Sequence, residues 1–141
     1  MWCNKILVAY DGSAASKRAL NMALGIIRPS EHIELVFVHV TRMAGVGTMT
    51  AGVDTVIAND AQDILEELEL IANNIPNSVE IKLLVGTSPA DLIVRCAREE
   101  GCDLIIMGSR GRGGVKGYLG SVSYAVTKES PIAVLIAKED E

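Results

Sequence analysis

Leu104-Ile105-Ile106-Met107, running directly into Gly108-Ser109-Arg110-Gly111-Arg112-Gly113-Gly114-Val115-Lys116-Gly117-Tyr118-Leu119-Gly120, is the stretch on which the fold reading turns. Four consecutive large apolar residues cannot be a half-solvated strand. They read as a strand covered on both faces, the pattern of a parallel sheet sandwiched between helices. The loop after it holds six of the chain's thirteen glycines, and Ser121-Val122-Ser123 then opens a helix marked by Val122, Ala125 and Val126.

The same alternation extends in both directions. Lys5 to Tyr10 reads as a strand, ended by Asp11-Gly12-Ser13. Leu20, Ala23, Leu24 and Ile27 then recur at helical spacing until Pro29. Leu35 to Val40 is a second, nearly continuous apolar strand. Thr41 to Val53, with three glycines, reads as a mobile loop. A helix follows in which Ala61, Ile64, Leu65 and Leu68 share a face and the acidic residues form the solvated side. Glu80 to Val85 alternates only partly and suggests an edge strand. Ser88-Pro89-Ala90-Asp91 starts a helix, with Ser88 as cap, Pro89 at the first helical position and Asp91 completing a box-like pattern; Gly101 ends it. Ile132 to Ile136 is the last strand. The order β-α-β-α-β-α-β-α-β implies an open, Rossmann-like sandwich: a five-stranded parallel sheet with helices on both faces.

Composition agrees with one ordinary domain spanning residues 1–141. Hydrophobic residues make up 49% and charged residues 22%, and a chain of this size buries roughly 68% of its unfolded surface. The net charge of −5 argues against duplex nucleic acid as partner. No apolar run reaches the roughly eighteen residues of a membrane span, and no export signal is visible, so a cytoplasmic location is the default. Cys3, Cys96 and Cys102 form no metal or CxxC spacing and read as reduced, packed thiols.

In open α/β sheets ligands bind beyond the carboxyl ends of the strands, where strand order reverses. That selects Asp11-Gly12-Ser13, the turn after Val40, Gly86-Thr87-Ser88 and the segment after Met107. The last is the richest. Its glycines bring backbone N–H groups close to a ligand, a helix N-terminus adds unpaired donors, and Arg110, Arg112 and Lys116 add charge, which together suit a di- or triphosphate. The pattern is neither a Walker A loop nor a dinucleotide fingerprint. Asp11 either binds a ribose hydroxyl or an Mg2+ ion beside phosphates, or it and Ser13 simply cap the first helix. His39 reads as a hydrogen-bonded core residue. No histidine is placed as a base, so no catalytic residue is assigned and the chain is read as a binder, not an enzyme, with at most slow hydrolysis.

The chain resembles the universal stress protein family, in its single-domain, nucleotide-binding form. The resemblance rests on Lys5 to Ser13, Val38-His39-Val40, Asp103 to Gly111, Leu119 to Ser123 and Ser130 to Ile136. It implies strand order 3-2-1-4-5, a homodimer through the last strand, and a stress-response sensor or regulator. It also implies binding of ATP, or of AMP, ADP or cyclic AMP, with Mg2+. By that resemblance Ala9 and Val40 contact adenine, Asp11 lies near ribose and adenine, Gly108 and Gly111 approach ribose and phosphate, and Gly120, Ser121, Val122 and Ser123 bind phosphates. Met107 and Arg112 complete the set of nucleotide-binding candidates. The family pattern Gly-x2-Gly-x9-Gly-Ser/Thr is one residue short here, with eight residues from Arg112 to Leu119. A ligand-free dimeric interaction module, its shortened loop no longer binding nucleotide, is the alternative.

Overall fold

A computed structural model describes residues 2–42, 51–110 and 119–139, and for 51–58 the backbone only. The elements are β1 (Lys5–Ala9), α1 (Ala14–Ile27), β2 (Glu34–Arg42), α2 (Ala51–Ala72), β3 (Val79–Gly86), α3 (Pro89–Glu99), β4 (Leu104–Gly108), α4 (Ser121–Glu129) and β5 (Ala133–Ala137). The strands form one five-stranded sheet in the order β3-β2-β1-β4-β5, with every neighbouring pair parallel. The chain winds from β1 out to β3 on one side, then returns to start β4 on the other side of β1. The reversal of strand order therefore falls between β1 and β4.

Both faces of the sheet are covered, which is why the central strands are continuously apolar. Ile6, Val8, Leu35, Phe37, Leu104 and Ile106 pack against Ala19, Leu20, Ala23 and Ile27 of α1 and Ile64 and Leu68 of α2. Their alternates Leu7, Val36, Val38, Ile105 and Met107 pack against Ile93, Val94 and Ala97 of α3 and Val126 of α4. Ile6, Leu7, Val8, Val36, Phe37, Val38, Ile105 and Ile106 are each fully excluded from solvent.

Three local readings are corrected. Thr41 and Arg42 finish β2 and Ala51 to Val53 begin α2, so the loop expected over Thr41 to Val53 is shorter; 43–50 lie outside the described residues. Ser88 precedes α3, with Pro89 at its first position, but its hydroxyl donates to the Asp91 carboxylate at 3.0 Å and caps no backbone N–H. Glu67 on α2 is not simply part of a solvated face, because it accepts a hydrogen bond from the Tyr10 hydroxyl. Gly101 does end α3, at φ +70°.

All three cysteines are free and buried. Burial raises each thiol above its ordinary value, Cys102 to about 12. Only the thiolate reacts with disulfide reagents. The folded protein at pH 8 is expected to leave all three unmodified over the time in which the urea-denatured chain titrates fully with DTNB. A thiol that reacts at the unfolded rate in the native state would refute this.

Candidate functional site

The carboxyl end of β1 is held by interlocking hydrogen bonds. Tyr10 continues the ladder by donating its N–H to the Val38 carbonyl at 2.8 Å. His39 Nδ1 lies 2.9 Å from the Tyr10 carbonyl, so this histidine is hydrogen-bonded as expected, but it is half-buried and not the core residue the sequence suggested. Gly12 then turns the chain at φ 81°, a conformation that favours glycine. Asp11 Oδ1 accepts from the Ser13 N–H at 2.9 Å, and Ser13 Oγ accepts from the Ser16 N–H at 3.2 Å as the N-cap of α1. The capping role therefore belongs to Ser13. Asp11 sets the turn that delivers it.

At the end of β4 the chain packs closely against α1. A Cβ on Gly108 would lie 2.7 Å from both the backbone carbon and the Cβ of Ala15, and 2.8 Å from the Ser16 nitrogen. Gly108 is thus required by helix-to-strand packing. Beyond it, the Ser109 N–H donates to the Ala137 carbonyl and the Ser109 carbonyl accepts from the Gly120 N–H, both at 2.7 Å. Ser123, which is buried, donates its hydroxyl to the same Ser109 carbonyl at 2.5 Å and lies 3.1 Å from the Gly120 carbonyl. This hydroxyl anchors the start of α4 to the end of β4. Gly120 is the N-cap of α4 and makes no side-chain cap bond. The first N–H groups of α4, those of Ser121, Val122 and Ser123, form an uncapped positive end.

These two strand ends enclose a cleft of about 470 Å³ at the reversal of strand order. Of the sequence-predicted residues, Ala9, Asp11, Val40, Met107, Gly108, Gly120, Ser121, Val122 and Ser123 all line it. Gly111 and Arg112 lie outside the described residues, as does Lys116. The apolar lining comes from Ala9, Val38, Val40, Pro89, Ile93 and Met107. The polar lining comes from Asp11, Ser13, Ser16, Arg42, Arg110 and the N-terminus of α4. A lining of both kinds suits a ligand with an apolar and an anionic part.

Tyr10, Ser16, Val38, Arg42, Pro89 and Ile93 also line the cleft without having been singled out from sequence as ligand residues. Period two would have found Val38 and Arg42, since they share a strand face with Val40. Pro89 and Ile93 are one turn apart on α3, and only the docking of that helix against β2 brings them here. Arg110 was marked as a phosphate-binding cation. The structure places it in the polar lining, in an ion pair with Glu139.

The sequence profile of the universal stress protein family matches residues 3–138. The chain belongs to this family. It is 35% identical to universal stress protein YxiE of Bacillus subtilis, over 96% of this chain and 99% of the relative. A crystal structure of a universal stress protein in complex with cAMP is 26% identical, with a TM-score of 0.73 over 99% of this chain and all of that one. A universal stress family protein from Arabidopsis thaliana with AMP bound has the same fold, at 21% identity and a TM-score of 0.73 over 97% of this chain and 92% of that one. The five-stranded order read from the resemblance is the one observed. Among the described residues no helix is long and apolar enough to cross a membrane.

Proposed function

We propose that this universal stress protein binds an adenine nucleotide in the cleft between β1 and β4 and serves as a stress-response sensor or regulator, not as an enzyme with rapid turnover. The observation that carries this is the cleft itself. It pairs apolar lining residues with the uncapped N-terminus of α4 at the sheet's reversal point. A relative of similar length holds cAMP. In this reading the base lies between Val40, Pro89 and Ile93, Asp11 faces the ribose, and the N–H groups of Ser121 to Ser123 receive phosphate.

Mg2+ enters this reading only with the phosphates. Asp11 is the one carboxylate among the described residues of the cleft wall, and no group of three or more potential metal ligands exists among the described residues. A single carboxylate supplemented by phosphate oxygens is an ordinary Mg2+ site, whereas a carboxylate alone is a poor one. Mg2+ without nucleotide is therefore expected to leave the melting temperature unchanged.

The test is thermal unfolding against ATP, ADP, AMP, cyclic AMP and GTP, each with and without Mg2+. A ligand at 100 times its Kd is expected to stabilise the fold by about 2.7 kcal/mol. A shift with adenine nucleotides that exceeds the shift with GTP supports the reading. No shift with any of them refutes it and leaves the ligand-free interaction module.

The homodimer belongs to the same proposal. β5 is an edge strand whose Val134, Leu135 and Ile136 are only partly buried, an apolar edge that a second copy would cover. A monomer by light scattering at micromolar concentration would refute it.

A further inference from the structure

The ion pair between Arg110 and Glu139 joins the cleft lining beside the α4 N-terminus to the segment that follows β5. It is built in by the sheet. β4 and β5 pair with Gly108 opposite Ala137, and the Ser109 N–H extends this register by donating to the Ala137 carbonyl at 2.7 Å. Arg110 and Glu139 each lie two residues beyond that last pair. Arg110 is also held against α4, because its Cα would sit 3.1 Å from a Cβ on Gly120, the N-cap. Arg110 thus lines the cleft beside the helix end that would receive phosphate, and its guanidinium is paired with a carboxylate. The side chains are 13% and 28% exposed, so solvent and salt screen the pair only in part.

We propose that Glu139 limits the number of phosphates the cleft accepts, selecting a nucleotide with one phosphate over one with three. The inference rests on the nucleotide reading given above. Its physical basis is competition. A carboxylate and a phosphate use the same guanidinium donors, and a carboxylate left beside a polyphosphate repels it. A single phosphate can be held by the α4 N–H groups alone. Each added phosphate must either displace Glu139 from Arg110 or lie beside its negative charge. Adenosine, with no phosphate, is indifferent to the pair.

The experiment is calorimetric titration of the full chain with adenosine, AMP and ATP, comparing wild type, Glu139→Gln and Glu99→Gln. Glu99 is an exposed acid at the far end of α3 from the cleft and controls for net charge. Glu139→Gln is expected to raise the affinity for ATP relative to AMP by about tenfold, since hydrogen bonds to charged groups are worth roughly that factor. Adenosine binding stays unchanged, and Glu99→Gln stays at the wild-type ratio. If AMP and ATP bind but the ratio is the same in all three proteins, Glu139 has no selective role and the nucleotide reading stands. If the ratio rises equally in Glu99→Gln, the effect is net charge and the proposal fails. If none of the three proteins binds any of the three ligands, both the proposal and the nucleotide reading fall.

Discussion

Gly108→Val is expected to destabilise the protein by about 3 kcal/mol, the upper part of the range for overpacking a well-filled interior. The atoms that a Cβ would meet at 2.7–2.8 Å are the carbonyl carbon and Cβ of Ala15 and the backbone nitrogen of Ser16. None is the end of a flexible side chain. They belong to the first turn of α1, which is fixed from the other side by the Ser13 cap and by Gly12. The strain is relieved by moving α1 off β4, which distorts the cleft that Ser16 and Gly108 both line. Urea denaturation reads the stability loss. Gly25→Ala supplies the contrast: it lies inside α1, nothing stands within 4 Å of its added Cβ, and it is expected to stabilise by about 0.4–1 kcal/mol. Equal effects from the two substitutions would show that close packing at Gly108 is not what the position requires.

Gly120→Asp is expected to weaken binding of AMP and ATP by about 100-fold while leaving the fold intact. Gly120 is the N-cap of α4 at φ −67° and ψ 161°, an extended conformation that aspartate adopts readily. Its carboxylate would accept the free N–H groups of α4 and place a negative charge where phosphate is to sit. One charge-assisted hydrogen bond lost is worth about 1.5–3 kcal/mol, which is roughly one to two powers of ten in Kd, and repulsion adds to it. Gly120→Ala introduces the same Cβ, 3.1 Å from the Arg110 Cα, without the charge, and is expected to weaken binding less. Full affinity in Gly120→Asp would remove the α4 N-terminus from the site. A matched loss in both variants would assign the effect to crowding.

Much of this was legible in the residues. Strand and helix order followed from continuous apolar runs such as Leu35 to Val40 alternating with helical spacings such as Ala90, Ile93, Val94 and Ala97, because burial on both faces or on one stripe imposes those periods. Strand ends in an open sheet are where ligands go, so four loops could be nominated together; those after Ala9, Val40 and Met107 converge on one cleft, whereas Gly86-Thr87-Ser88 does not line it. The glycine-rich segment and the family resemblance came from local pattern alone.

What local pattern does not carry is the use to which each group is put. Gly108 reads as a glycine of a ligand loop, but its lack of a Cβ is needed where α1 crosses β4, more than ninety residues away in the chain. Ser123 reads as a phosphate donor, yet its hydroxyl turns inward to the Ser109 carbonyl. Tyr10 reaches Glu67 across 57 residues, and Arg110 reaches Glu139 across 29. By itself the sequence determined the order of elements, the parallel sheet and the loops that meet at its reversal point, because periodicity and glycine content are properties of neighbouring residues. Only the tertiary structure decided which donors face the cleft and which are consumed holding it together, because a hydrogen bond or ion pair goes to whatever partner packing brings within reach.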